Sequence, residues 1–533
     1  MHASVLLIVS ILILSIAYRF HGRFLTRKFR IDPDCQTPAH TLRDGVDYVP
    51  AKPFVLLGHH FASIAGAGPI VGPVLAAVFG WGPVWLWLMV GVIFIGGVHD
   101  FGAMVASIRH QGKSIGQLID RYIGKSGKVL FLLFTWFMLI LVIAVFARTV
   151  ASIFVKTPAA ASSSALFILL AVCFGLLIYQ FKFPFQWASL LGVLLLLGCI
   201  VLGNWFPVHL DYSTWIVLLF VYVFIASVTP VWILLQPRDY LNSFLLYALI
   251  IGGIIGIVVK NPRIEFPVYT HFNAYGPLFP ILFVTVACGA ISGFHSLVAS
   301  GTSSKQLDCE SDAKLVGYGG MLIEAILAVI ALITAVVLVP TRYREILPQT
   351  GGGPIAVFAQ GVGGFMTSLG IPLNAGVTFA ALAISAFAMT TLDTATRLAR
   401  FSLQEISESV SAIRFLGRNR FIATLVTIIA AAVLAYSGSS QTIWPLFGSA
   451  NQMLAAMALL AVSVWMDHLK EKSIFVKIPM FFMLVVTITA LGSLVIQNFM
   501  QKNWLLCGVG TSLFIIGWTL IVKSVFKRSF WKK

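Results

Sequence analysis

Charge is scarce in this 533-residue chain. Asp, Glu, Lys and Arg make up 10% of it, against 59% hydrophobic residues and a mean hydropathy of +0.94. That leaves too little polar material to coat a soluble domain, and a polytopic membrane protein is the class that remains. Cysteine is sparse as well. Cys35, Cys173, Cys199, Cys288, Cys309 and Cys507 form no Cys-x-x-Cys pair, so neither a disulfide framework nor a zinc cluster is indicated. Most of them fall in apolar runs and read as small core residues. Long polar linkers are missing too: the breaks at 20–53, 341–371 and 397–420 are modest loops, which favours one membrane domain. Enzyme signatures are lacking. There is no His-Glu-x-x-His and no Gly-x-Ser-x-Gly, and Gly124-Lys125-Ser126 fails as a phosphate loop because Ile119 stands where glycine is required. The expectation is therefore no enzyme and no cofactor. No metal is expected either, since the pairs His59-His60 and His99-Asp100 lack a helical ligand spacing that would fix one.

What the chain has in abundance is apolar runs long enough to cross a hydrocarbon core, about fifteen of them. They lie near 3–19, 54–80, 83–108, 129–155, 163–181, 184–205, 213–235, 241–259, 277–300, 315–340, 372–396, 421–436, 441–466, 478–497 and 503–522. The net charge of +17 would fit nucleic acid, but its placement follows membrane topology instead, because Lys and Arg accumulate in cytoplasmic loops. With the N-terminus outside, 29 of the 36 Lys and Arg fall on the inner side, 6 on the outer side, and Arg148 lies within a span. N-outside and C-inside is the expected orientation. The first span has no basic region before it, and Arg19, Arg23, Arg27 and Lys28 follow it, as in a retained anchor. The 341–371 segment carries Gly351-Gly352-Gly353-Pro354 and then Ile355, Val357, Phe358, Val362, Phe365 and Met366, enough for an interfacial or re-entrant helix placed as a lid.

Two of the runs are interrupted at their centres. Gly66-Ala67-Gly68-Pro69 breaks the second, after His59 and His60, and Gly289-Ala290-Ile291-Ser292-Gly293-Phe294-His295 breaks the ninth. Helix-breaking backbone at membrane depth survives only where protein or a water-filled cavity satisfies it, and two such helices in corresponding halves point to a transporter site. Seven steps separate them, so they cross in opposite directions, as an inverted repeat demands. The half-helix ends created there favour an anionic group such as a carboxylate.

Polar residues inside apolar spans are the next candidates. His59, His60, Ser292 and His295, with the backbone of Gly66, Ala67, Gly68, Pro69, Gly289 and Gly293, are the expected substrate contacts. Asp100, Glu324 and Asp393 are carboxyls where the charged form is disfavoured, so each can carry a coupling proton. Alternatively Asp100 or Asp393 pairs with an arginine at the membrane edge, or a carboxylate holds Na⁺ with Thr390, Thr391, Ser292 and exposed carbonyls. Arg148 is either a carboxylate clamp or a snorkelling residue.

Four stretches resemble the carbon starvation protein CstA family of bacterial inner-membrane transporters. They are 58–69 with 72–77 (Gly58-His59-His60 through Gly68-Pro69, then Gly72-Pro73-Val74), 287–302 (Ala287-Cys288-Gly289 through Gly301-Thr302), 390–397 (Thr390-Thr391-Leu392-Asp393 through Arg397) and 444–452 (Trp444-Pro445-Leu446-Phe447-Gly448-Ser449-Ala450-Asn451-Gln452). The resemblance implies secondary transport of pyruvate, with protons in preference to Na⁺, or uptake of peptides during carbon limitation. It also implies kinship to amino acid–polyamine–organocation transporters with a LeuT-like inverted repeat.

The expected protein is thus an all-α symporter of about fifteen membrane helices. It comprises a peripheral helix (3–19), two halves (54–259 and 277–466) and a peripheral C-terminal pair (478–522). Its partners are the lipid bilayer and a small organic acid or a peptide, and no nucleic acid. The alternatives are a peptide carrier and a membrane metabolite sensor. Oligomeric state is not readable from these residues.

Overall fold

The computed structural model describes the whole chain apart from residues 45–46, 231–232, 275, 349–352, 411–412, 438–439 and 531–533. Among the described residues the protein is a helical bundle, and its β pairing is confined to isolated bridges such as Gln36 with Cys309 and Ala51 with Leu307. Among the described residues, twelve helices are long and apolar enough to span a membrane. A thirteenth span results if Pro53–Ile64 and Gly68–Phe79, bent by 51°, are taken together.

Besides 54–80, two of the expected runs do not form a single spanning helix. The run 213–235 yields Tyr212–Val228, of 17 residues. Asp211 starts it by accepting the Thr214 N–H at 3.0 Å, and the turn to Thr229-Pro230 ends it, since a residue before proline is driven out of the helical region. The run 277–300 yields two short pieces, Leu278–Thr285 and Gly293–Gly301.

Burial orders the helices. Ile443–His468 is 94% buried, and Trp81–Ile108 and Glu310–Val336 are each 89% buried, whereas Phe185–Trp205 is only 17% buried. The last presents Leu190, Leu194, Leu197 and Val201 outward, the pattern of a helix facing lipid tails. Lys125–Lys156 runs through the centre and packs on Leu373–Ser409, Arg420–Ser437 and Ser440–His468.

Loops gather on two opposite faces. On one, Ala3 N donates to Pro262 O (2.9 Å), Gly82 N to Val268 O (2.8 Å) and Glu265 N to Val336 O (2.9 Å). On the other, Ala51 N donates to Gln306 O (3.0 Å) and Arg30 pairs with Glu471 (2.5 Å). Segments expected on the same side of the membrane therefore meet one another.

Two buried helices contain a widened turn. Val92–Gly96 within Trp81–Ile108 and Lys314–Gly319 within Glu310–Val336 are π-helical. Each lies in the helix that comes after a broken one, and such turns collect at functional sites.

One expectation is corrected here. Of the six free cysteines only Cys288 is buried; Cys173 is exposed and the other four are partly exposed. A cysteine in an apolar run can face lipid as readily as the core. The 341–371 segment forms the helix Gly353–Met366, which buries Val357, Phe358, Val362 and Phe365 against Gly68–Ala76, Leu235–Lys260, Glu310–Val336 and Leu373–Ser409. Gly351 and Gly352 lie outside the described residues.

Candidate functional site

The first break arises from the residues at its centre. Helix Pro53–Ile64 ends with Ala65 N bonded to Phe61 O (2.9 Å) and Gly66 N turned back onto Ile64 O (2.8 Å). Pro69 has no N–H to offer Ala65, so the ladder cannot continue. A new helix starts at Gly68, with Val71 N on Ala67 O (2.9 Å).

The second break is wider, covering residues 286–292 between Leu278–Thr285 and Gly293–Gly301. Its freed carbonyls are taken up by side chains of other helices. Gln452 Nε2 donates to Phe283 O (2.7 Å), Trp87 Nε1 to Val286 O (3.1 Å) and Trp444 Nε1 to Thr285 O (3.5 Å). At the start of the next half-helix, Asn451 Oδ1 accepts from Phe294 N (2.9 Å) while Asn451 Nδ2 donates to Ser292 Oγ (3.0 Å). Protein thus replaces the missing water, as membrane depth requires. Asn451→Ala would leave the Phe294 N–H unpartnered, at a cost of about 1–3 kcal/mol. A lower melting temperature of the detergent-solubilised protein is the expected result.

The two breaks touch. A Cβ on Gly68 would overlap Cys288 Sγ, and a Cβ on Gly289 would come within 3.7 Å of Pro69 Cα. At Gly66 a Cβ would lie 2.5 Å from Thr391 Oγ1 and 3.1 Å from the Phe146 ring. The Thr391 hydroxyl is buried, has no hydrogen-bond partner and is aimed at the first break. Residues 60–70 and 286–300 are all buried, so the junction is closed to both faces.

Two ionic clusters flank it. In the first, Asp100 takes one imidazole on each oxygen: His99 Nδ1 on Oδ1 (2.7 Å) and His295 Nδ1 on Oδ2 (3.0 Å). The far nitrogen of His295 stands 3.5 Å from Glu324 Oε2, so this ring sits between two carboxyls, and no side chain of the four is more than 1% exposed. His60 borders the same cluster. Its Nδ1 meets Ser303 Oγ at 2.8 Å, and its ring lies against Gly320, one turn before Glu324. Both Glu324 oxygens and the Nε2 atoms of His60, His99 and His295 are buried without a hydrogen-bond partner.

In the second cluster Asp393 accepts from Arg238 Nη1 and from Tyr222 OH (2.7 Å), Arg238 Nη1 also reaches Tyr222 OH (2.5 Å), and Arg238 Nη2 meets Asp239 Oδ1 at 3.2 Å. One turn along from Arg238, Asn242 Nδ2 donates to Thr390 Oγ1 (3.4 Å). His59 is partly exposed where His60 is buried, its carbonyl accepts from Ser63 Oγ (2.9 Å), and its Nε2 is buried without a hydrogen-bond partner.

The sequence-predicted residues are therefore sorted by the structure. Asp100 pairs with histidines rather than with Arg109, which is held by Glu310 (2.5 Å). Asp393 does pair with an arginine, but with Arg238 of another helix. Arg397 and Arg400 instead cap the end of Tyr212–Val228 through the carbonyls of Ala226 (2.8 Å), Thr229 (2.6 Å) and Ser227 (2.6 Å). Ser292 is bonded to Asn451 and not to the threonines, while Thr390 is bonded to Asn242 and the Ala386 carbonyl (3.1 Å). Arg148 lies over the Tyr212 ring and donates to Ala435 O. Among the described residues no group of three His, Cys, Asp or Glu is arranged to hold a metal. Sequence reasoning missed Arg238, Tyr222 and Asn451 as site residues, and placed Arg238 in a loop. The helix starts at Leu235, since Pro237 is tolerated in a first turn, so Arg238 enters the bundle.

The family description "Carbon starvation protein CstA" matches residues 2–351 and 346–490. The chain belongs to the CstA family. It is 34% identical to the peptide transporter CstA of Escherichia coli (strain K12), over 91% of this chain and 80% of that protein. It is also 34% identical to the peptide transporter CstA of Bacillus subtilis (strain 168), over 93% and 91%. With the pyruvate/proton symporter BtsT of Escherichia coli (strain K12) it shares 32% identity, over 92% and 82%. Among solved structures, a manganese transporter of Eremococcus coleocola is similar with a TM-score of 0.49 at 12% identity, covering 91% of this chain and 98% of that one. Such an overlap is too low to fix the topology. CstA family membership makes this a multi-pass membrane protein related to bacterial transporters.

Proposed function

We propose that this protein imports a small pyruvate-like carboxylate with a proton, by alternating access, across the bacterial cytoplasmic membrane, with the N-terminus outside and the C-terminus inside. Carbon starvation is the condition in which that import serves the cell. The observation that carries the proposal is the contact between the two unwound stretches, at Gly68 with Cys288 and Pro69 with Gly289, closed to both faces and flanked by buried carboxyls. Half-helix ends at such a junction suit an anion, and the similarity to a protein named as a pyruvate/proton symporter supports the same substrate class.

The substrate lies at the junction, near Gly66, Ala67, Gly68, Pro69, Gly289, Ser292 and Gly293, with His59, His60 and His295 around it. Asp100, Glu324 and Asp393 are the coupling carboxyls, with Thr390 and Thr391 beside them, and the coupling ion is a proton in preference to Na⁺. An inverted, LeuT-like repeat is supported by a repeated order: a broken helix and then a helix with a π-turn, once at Pro53–Ile64 to Ile108 and again at Leu278–Thr285 to Val336. No step of this cycle needs enzyme chemistry or a cofactor.

A peptide carrier is the second reading, favoured by the relatives named peptide transporters. Proteoliposomes separate the readings. Labelled pyruvate should enter against its gradient when the exterior is acidic, with little response to a Na⁺ gradient, and unlabelled pyruvate should compete better than dipeptides. The reverse order of competition would make the protein a peptide carrier. Binding without counterflow would make it a sensor.

A further inference from the structure

We propose that Arg238 is the docking point for the substrate's carboxylate and that Asp393 is the group the substrate displaces, taking up the transported proton as it lets go. This rests on the carboxylate–proton reading above and names the residues that would enforce it.

The geometry supplies the argument. Arg238 is 2% exposed and Asp393 is 0% exposed, yet the pair is incompletely satisfied. Arg238 Nε, Asp393 Oδ1, Asn242 Oδ1 and Thr391 Oγ1 are all buried without a hydrogen-bond partner. Buried polar atoms in native proteins are nearly always partnered, so the orphans on Arg238, Asp393 and Asn242 mark a place where another polar group fits. The fourth, the Thr391 hydroxyl, is carried on the same helix as Asp393 and lies against Gly66 at the first break. A guanidinium offers a planar fork that binds one carboxylate with two parallel N–H bonds. Here the fork is divided: Asp393 Oδ2 accepts from Nη1 and from Tyr222 OH (2.7 Å), while Asp239 Oδ1 accepts from Nη2 (3.2 Å).

Charge governs the response to a second carboxylate. The groups facing Asp393 are Arg238 and Asp239 from Leu235–Lys260, Tyr222 from Tyr212–Val228 and Arg397 from its own helix. Arg397 is already engaged with the carbonyls of Ala226 and Thr229. Arg238 alone therefore neutralises Asp393 at short range. A substrate carboxylate that takes the fork leaves Asp393 as an uncompensated buried charge, which is strongly disfavoured. The balance closes when one proton arrives with each carboxylate: Asp393 becomes neutral, Arg238 keeps its charge, and the new ion pair is Arg238 with substrate. Release inward reverses both exchanges. Substrate and proton are then linked, because only the two together leave the net charge of the cluster, Asp239 included, unchanged.

Three proteins reconstituted in liposomes test the proposal, with labelled pyruvate as probe: wild type, Asp393→Asn and the double variant Arg238→Gln/Asp393→Asn, which replaces the ion pair by a neutral pair of similar size. Wild type sets the reference, with counterflow and acid-driven accumulation. Asp393→Asn should lose acid-driven accumulation while counterflow remains detectable. The double variant should lose counterflow by roughly 30-fold or more, because the substrate carboxylate loses its charged partner, while keeping a wild-type elution profile. Acid-driven accumulation by Asp393→Asn, or counterflow by the folded double variant within threefold of wild type, overturns the proposal and leaves the transport reading standing. Absence of any pyruvate flux in wild type overturns the transport reading, and this proposal falls with it.

Discussion

Asp100→Asn is expected to abolish concentrative uptake of pyruvate while leaving exchange across the membrane measurable. Each oxygen of Asp100 accepts an N–H from a different histidine, one on its own helix and one on the half-helix Gly293–Gly301. An asparagine keeps one acceptor and turns an NH₂ donor toward the other imidazole, so one charge-assisted bond is replaced by two opposed donors. Bonds to charged groups contribute about 1.5–3 kcal/mol each. Losing both charges' worth of attraction comes to roughly 3 kcal/mol or more, over 100-fold in an equilibrium. His295 stands between Asp100 and Glu324, so each of its nitrogens faces a carboxyl. Uptake by proteoliposomes under an inward proton gradient, compared with counterflow, reads the effect. Undiminished accumulation would remove Asp100 from the mechanism.

The second large effect is on stability. Glu310 is completely buried and accepts three bonds, from Arg109 Nε (2.5 Å), Arg109 Nη2 (2.8 Å) and the Asp32 N–H (2.9 Å). Arg109 also donates to Arg30 O (2.9 Å). One carboxylate thereby ties the segment after the first helix, the end of Trp81–Ile108 and the start of Glu310–Val336 into one face. Glu310→Ala strands the guanidinium and one amide. Removing a partner from a fully buried pair costs about 3–5 kcal/mol, and the part-exposed arginine lowers this to about 2 kcal/mol. The hydrogen bonds it donates to Glu310 hold the Arg109 guanidinium above its ordinary range. A group raised in the folded state contributes in full below its unfolded pKa, which for arginine lies far above neutral, so its share of stability is constant through neutral pH. Melting of wild type and variant in detergent should differ by the same amount at pH 7 and pH 9, and equal melting temperatures would show that the three bonds contribute nothing net.

The breaks were legible in the sequence because glycine and proline act locally. Gly66, Gly68 and Pro69 remove side-chain bulk and an N–H within four positions, and Gly289 and Gly293 bracket the other break. The buried carboxyls were legible for the same reason, as single polar letters in apolar runs. Their partners were not. His295 meets Asp100 from 195 positions away and Asn451 meets Ser292 across 159, separations that no local pattern encodes. Arg238 was hidden differently: Gln236-Pro237-Arg238-Asp239 has the composition of a loop, and only the packing of Leu235–Lys260 against its neighbours draws it inside. Burial of Gly353–Met366 was equally out of reach, since an apolar helix of that length suits a bilayer surface as well as a protein interior.

Cys288 gains a use from its position. Alone among the six free thiols it is buried, pressed against Gly68 where the unwound stretches meet. An alkylating reagent added from one compartment can react there only after the seam has parted toward that compartment. In a protein whose other cysteines are replaced by serine, the labelling rate from each side becomes a clock for opening to that side, and occupancy by a transported solute registers as protection.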